Sequence, residues 1–249
     1  MNRSMLFPLV IGLGACTHQS ITWERTGEAA LHAATHPSVW APLLGAGVFA
    51  LGDLDTRTAN YLSDHAPVFG DSESAANAST DLEALLALTA GISAVVAPVP
   101  PGDDAALHRG EHLAVVVGGL ALTGGVTDAI KSATNRRRPN DADDQSFPSG
   151  HASQAFAAAT FASANFHRAW ADSSGAKWAD AGLYTAAGLS ALARVEAQVH
   201  YPSDVLAGAA LGNFMARFLD ELLLTDPGIT SVSAVAGRHI VIVELHRAF

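Results

Sequence analysis

The sequence predicts an all-α fold, a helical bundle of about six to seven helices with a small C-terminal β-hairpin. Three observations carry this reading. Hydrophobic residues make up 49% of the 249, yet only 7% are aromatic, and a core of Ala, Leu and Val packs close helices better than it builds a large sheet. Long uncharged runs recur between Pro-, Gly- and Asp-rich breaks. After Asp226-Pro227-Gly228 the pattern changes to β-branched alternation.

From the N-terminus, Arg3 and the apolar residues 5–14 read as a signal peptide over 1–15, closed by Leu13-Gly14-Ala15-Cys16. This closing tetrapeptide resembles the lipobox of bacterial lipoproteins. The resemblance implies cleavage before Cys16, lipidation of that cysteine and a place on the periplasmic side of the envelope. Thr17, where inner-membrane retention usually has Asp, favours the outer membrane. Cys16 is the only cysteine, so the mature chain has no internal disulfide. Residues 16–36 read as a tether, 37–225 as the helical domain and 226–249 as the hairpin.

Within the domain, Pro37 or Ser38 starts a helix to about 51, and a second runs from 53 to 64. Residues 69–79, rich in Gly, Asp, Ser and Asn, read as a loop. Thr80 or Asp81 caps a helix to about 96, stopped by Pro98, Pro100 and Pro101. A long helix follows over about 105–133, with Gly118, Gly119, Gly124 and Gly125 permitting close contacts. An Arg-, Pro- and Asp-rich loop spans 134–149, and further helices span about 150–169, 175–197 and 202–224. A bilayer span needs about 20 mostly apolar residues. The uncharged runs are shorter or broken by proline, so the expectation is a soluble bundle on a lipid tether.

The net charge of −10 argues against nonspecific binding to nucleic acid. Against it, Lys131, Arg136, Arg137 and Arg138 form a local basic cluster, suited to an anion. Arg138 precedes Pro139, which restrains the backbone there; its planar fork suits two phosphate oxygens, and Lys131 adds a point charge. Arg136 and Arg137 read as rim or solvated charges. Pro148-Ser149-Gly150-His151 opens an Ala-rich helix, whose free N–H groups and dipole favour an anion. Arg194 falls in the last turn of one helix, His200 in the connection and Asp204 in the first turn of the next. Asp204 is placed to take the proton of one His200 nitrogen and leave the other free to attack.

Together these segments resemble the signature of the type 2 phosphatidic acid phosphatase and vanadium haloperoxidase superfamily: Lys, six residues, Arg-Pro; Pro-Ser-Gly-His; Ser-Arg, five residues, His, three residues, Asp. Ala193 stands where the family usually has Ser. The resemblance implies a helical phosphatase domain with catalytic His200, His151 and Asp204, and with Lys131, Arg138, Ser149, Gly150 and Arg194 on phosphate. It also implies no metal or other cofactor, the cations standing in for magnesium. The partner implied is a phosphorylated small molecule or lipid phosphate. Competing readings are a vanadate-dependent haloperoxidase and a non-catalytic lipoprotein scaffold. A zinc site at His108-Arg109-Gly110-Glu111-His112 matches His-x-x-Glu-His but shows no third ligand. His32, His36, His65 and His167 are isolated.

Overall fold

A computed structural model describes residues 22–99, 105–170 and 173–224, and two strands beyond them. Cys16 and the signal peptide lie outside the described residues. Eight helices are present among them: α1 (Trp23–Thr35), α2 (Pro37–Phe49), α3 (Leu54–His65), α4 (Ser72–Val96), α5 (Ala105–Thr134), α6 (Gly150–Trp170), α7 (Ser174–Glu196) and α8 (Pro202–Leu224). The bundle is helical as expected, with eight helices in place of six to seven. Beyond α8, Ser231–Ala236 and Val241–His246 pair antiparallel; two strands alone make a marginal unit, and helices alone build the site.

The extra helix lies where a tether was expected. Thr22 caps α1 by accepting from the Arg25 amide, and Ala29 and Ala33 are buried. Arg25 Nη2 donates to the Leu222 carbonyl at 3.0 Å and His32 Nδ1 meets Glu221 Oε2 at 2.5 Å, docking α1 on the end of α8. The loop expected over 69–79 is also mostly helix. Asp71 caps α4 by accepting from the Ser74 amide at 2.7 Å, and Ser79 Oγ donates to the Ser190 carbonyl of α7. Capping and this tertiary bond outweigh the turn-forming composition. Buried Glu196 accepts from the Val68 and Phe69 amides, fastening the α3–α4 connection to α7.

Helix α6 is the centre of the bundle, in contact with α4, α5, α7 and α8. Ala152, Ala155, Ala157, Ala158, Ala159 and Ala162 are fully buried along it, and such small side chains let its neighbours approach closely. The closest approach is to α8. A Cβ on Gly208 would stand 2.6 Å from the Ser149 carbonyl oxygen, and one on Gly212 only 2.2 Å from that of Ser153. Of the four α5 glycines, Gly119 and Gly124 make close contacts, with Phe161 and Gln154, whereas Gly118 and Gly125 face open space.

The expectation of a soluble bundle is corrected by α4 and α5. Both are long and apolar enough to cross a membrane, with only 28% of the apolar window buried in each; α2 and α3 pass that test only as one pair, bent by 94°. At about 1.5 Å per residue they reach about 37 and 45 Å, beyond the ~30 Å of a hydrocarbon core. Counting uncharged runs concealed them, because a span tolerates one or two charges near its ends. Leu85, Leu88, Ile92, Val95 and Val96 form an exposed stripe on α4, and Leu43, Leu44, Val48 and Leu51 another on and just beyond α2. All four tryptophans are exposed.

Replacing Gly212 with Ala gains about 1 kcal/mol of helix propensity but forces a methyl against the α6 backbone, so Gly212→Ala loses about 1–3 kcal/mol net. Gly118→Ala, with open space to fill, is neutral or stabilising. Thermal unfolding of the two variants in detergent checks the contrast.

Candidate active site

Four helix ends meet at one end of the bundle: the C-termini of α5 and α7 and the N-termini of α6 and α8. Helix N-termini present free N–H groups and a positive dipole end. The α6–α8 approach sets their spacing, and the Ser149 amide donates to the Asp204 carbonyl at 3.0 Å. Ser149 is buried, and its hydroxyl accepts from the Ala152 amide within the first turn of α6.

His200, in the α7–α8 connection, is 2% exposed, and Asp204 beside it is fully buried. Asp204 Oδ2 accepts from Ser146 Oγ at 2.5 Å and from the Tyr201 amide at 2.8 Å, while Oδ1 accepts from Arg136 Nη1 at 2.7 Å. His200 Nδ1 lies 3.8 Å from Oδ2, an ion-pair separation rather than a hydrogen bond; such contacts are often long before substrate binds. Burial pushes the pKa of His200 down to about 4; Asp204 opposes the shift, and Lys131 and Arg138 add to it. The ring is therefore neutral at neutral pH, the form a nucleophile needs. Burial by itself would raise Asp204, but His200, Ser146 and Arg136 hold its carboxyl below the ordinary range.

The cations gather around these groups. Lys131, in the last turn of α5, is buried, with Nζ donating to the Gln145 carbonyl at 2.5 Å, and a Cβ on Gly150 would stand 3.9 Å from its Cε. Arg138 Nη1 donates to the Val199 carbonyl at 3.1 Å, and its Nε pairs with Asp143 at 2.6 Å. Arg194, in the last turn of α7, interacts electrostatically with Arg138 and Glu83. His151, in the first turn of α6, turns Nε2 toward Thr80 Oγ1 at 3.4 Å and Glu83 Oε2 at 3.5 Å, both from α4. Burial first, then Arg194, His200, Lys131 and Arg138, lower the pKa of His151 to about 4. The structure thus brings Lys131, Arg138, Ser149, Gly150, His151, Arg194, His200 and Asp204 to one place; Cys16 lies outside the described residues.

Arg136 is not the rim charge it was expected to be. Besides Asp204, its guanidinium donates to Ser203 Oγ at 2.7 Å and Asp55 Oδ2 at 2.8 Å, and it stacks 4.4 Å over the Tyr201 ring. Asp55, buried in α3, also accepts from the Ser203 amide and hydroxyl. Nothing local marked Asp55, which meets Ser203 from 148 residues away. Arg137 is exposed and paired with Asp141 and Asp144, a solvated charge as expected. Ala193 is buried in an apolar cluster with Ala75 and Ala197, so a methyl fills the place of the family's hydroxyl. In the zinc-like segment, His108 pairs with Glu111 at 3.1 Å and Arg109 bonds the Val95 carbonyl. Among the described residues, no group of three or more His, Cys, Asp or Glu side chains is arranged to hold a metal ion.

Residues 112–223 match the PAP2 superfamily, a stretch containing every site residue named in the three motifs. The chain is also 36% identical over 112 residues to a protein of Porphyromonas gingivalis named lipid A 1-phosphatase. That similarity covers 44% of this chain and 24% of the relative, so the chain spans about a quarter of the relative's length. No solved structure matches the chain.

Removing Arg136 leaves two buried carboxylates, Asp55 and Asp204, without their shared cation. Breaking such a pair costs about 3–5 kcal/mol, and Arg136→Lys, lacking the fork, restores little. Chemical denaturation of wild type and both variants measures the loss.

The depressed His200 pKa also has a signed consequence for stability. Below its ordinary value of 6.5 the unfolded chain takes up a proton that the buried ring refuses, so stability falls from pH 6.5 to about 4. Asp204 acts in a lower window, its contribution being lost as the pH falls through and below its ordinary 3.8. In thermal scans between pH 6.5 and 4, His200→Gln flattens the decline; an unchanged slope contradicts a neutral buried His200.

Proposed function

We propose that this chain, whose residues 112–223 are a PAP2 superfamily domain, is a phosphohydrolase of lipid phosphates or related phosphomonoesters, acting through a phosphohistidine at the outer side of a bacterial membrane. The observation that carries this reading is a buried His200, its pKa pushed down by burial, backed by a buried Asp204, with Lys131, Arg138 and Arg194 gathered around the same helix start. A neutral imidazole among fixed cations suits attack on an anionic phosphorus centre.

His200 faces Asp204 through Nδ1, which leaves Nε2 to attack. As the N–P bond forms, the bond from phosphorus to the ester oxygen breaks, and His151 gives that oxygen a proton. Water then attacks the phosphohistidine, His151 takes the water's proton, and the N–P bond breaks to release inorganic phosphate. Asp204 orients His200 and favours its charged form as the bond forms. Lys131, Arg138, Arg194, the Ser149 hydroxyl and the Gly150 amide hold the equatorial oxygens. Donors of this kind contribute roughly 2.7–4 kcal/mol each in comparable oxyanion sites. Cationic side chains supply the charge that magnesium supplies in other phosphoryl-transfer enzymes.

A lipid substrate is supported by the outer surface of the bundle. The bare stripes on α2 and α4 and the apolar length of α5 suit hydrocarbon. The four exposed tryptophans lie toward the end away from the site: Trp170 ends α6, Trp178 begins α7, Trp23 sits in α1 on the end of α8, and Trp40 is in the first turn of α2. Tryptophan is enriched at membrane–water interfaces. The named activity of the Porphyromonas gingivalis relative, on lipid A, is a lipid phosphate chemistry of the same kind. A lipidated Cys16 on the periplasmic side, in the outer membrane, rests on residues 1–17 alone.

The decisive measurement is phosphate release from phosphatidate, isoprenyl pyrophosphate, lipid A and nucleotides, by wild type and His200→Ala in mixed micelles. The expected result is turnover of at least one lipid phosphate, blocked by vanadate and abolished in His200→Ala. Full activity in that variant sinks the phosphohistidine route.

A further inference from the structure

His200 has a carboxylate behind it; His151 has one too, from a part of the chain outside the PAP2 match. We propose that Glu83 is a positioning residue for His151, holding the ring by Nε2 and stabilising its charged form while Nδ1 hands a proton to the leaving oxygen. The inference rests on the reading of His151 as the acid.

The geometry comes from α4. Glu83 Oε2 stands 3.5 Å and Thr80 Oγ1 3.4 Å from the same ring nitrogen, one helical turn apart on one face. Both members of the Glu83–His151 pair are about seven-tenths buried, at 28% and 31% side-chain exposure, so the pair is only partly screened by water. With Nε2 occupied, Nδ1 is the nitrogen left for substrate. A carboxylate on one nitrogen fixes the tautomer and orientation of an imidazole and stabilises the imidazolium, as orienting acids do elsewhere.

The need for such a partner follows from what else faces the ring. Arg194 arrives from α7, His200 from the α7–α8 connection, Lys131 from α5 and Arg138 from the loop after it, and all disfavour a second positive charge at His151. The cations that grip phosphate therefore work against the protonated acid that the first step requires. Glu83 is placed to offset them at the ring itself, and Arg194 lies in the field of the same carboxylate. Proton balance is simple. The proton leaves His151 Nδ1 for the ester oxygen as the P–O bond breaks, water restores it in the second step, and Glu83 keeps none.

Two esters differing in leaving group separate this role from general damage. 4-Nitrophenyl phosphate releases a stable anion and needs little protonation; 4-nitrobenzyl phosphate releases an alkoxide and needs a proton. With the full chain in detergent, the first step is read by single-turnover release of the leaving group, before the attack of water, in which His151 also acts, enters the rate. Glu83→Gln is expected to slow that release from the benzyl ester on the order of 10²-fold. The slowing on the phenyl ester is expected to stay within about threefold, because protonation matters less there. His151→Ala shows the same selectivity in this first step, and adding Glu83→Gln to it costs less than about twofold more, the signature of two residues acting as one unit. Equal losses on both esters, or full additivity with His151→Ala, overturn the assignment. If Glu83→Gln fails to fold, Glu83→Asp, which keeps the charge one methylene back, carries the comparison; the same selectivity supports the role and its absence overturns it. A wild-type protein without His200-dependent turnover of either ester instead removes the parent reading, which is a separate result.

Discussion

The backbone contact between α6 and α8 is the constraint on which the rest of the site depends. Two helices rarely bring a Cα within reach of a neighbour's carbonyl oxygen, and here it happens twice on one face, at Gly208 and Gly212. Small residues spaced by four are what allow helix backbones to approach where apolar surroundings supply little driving force. Because the two helices run in contact from their first turns, both N-termini open onto the same space. Ser149 and Asp204 are joined there through their backbones. The amides that open α6, His151 and the carboxylate behind His200 are thus all placed by one interface.

That interface then has to carry charge. A buried carboxylate is costly unless its lone pairs are filled, and Asp204 has Ser146, Tyr201 and Arg136 to fill them. Arg136 is held in turn by Asp55, and Asp55 by Ser203. The chain of bonds ties α3, the basic loop and the start of α8 into one polar layer under the site. It also sorts the basic cluster. Arg136 is consumed in support, Arg137 pairs with exposed acids, and Lys131 and Arg138 remain beside the histidines.

What could be read from the sequence follows the range of the forces involved. The helices from α5 onward were legible within a few residues, because proline breaks, caps and Ala-rich runs are local. The site motifs were legible because each lies within ten residues or so of chain. The parts missed depend on distant partners. Residues 72–79 look like a loop until Ser79 finds Ser190, and α1 looks like a tether until Arg25 and His32 reach the end of α8. Arg136 looked solvated because Asp55, its partner, lies 81 residues away. The apolar outer faces of α4 and α5 were discounted for a different reason. A rule of unbroken uncharged runs ignores that a long apolar helix can carry a charge that serves a site, such as Glu83 midway along α4 or Lys131 in the last turn of α5.

Those charges explain how a dense group of cations can be built before any anion arrives. Lys131, Arg138 and Arg194 repel one another in a space with little water, which by itself opposes folding. Each has a local counterweight: the Gln145 carbonyl for Lys131, the Val199 carbonyl and Asp143 for Arg138, and the field of Glu83 for Arg194. Oxygen atoms of the protein thereby hold the cations in position, so the phosphate of the proposed reaction would meet donors already oriented and little would be spent on rearrangement. The same arrangement favours a dianion over a neutral group, because the protein oxygens balance only part of the positive charge. The attraction for an anion and the stability of the fold are therefore set by one balance of charges, with α4 contributing to it through Glu83.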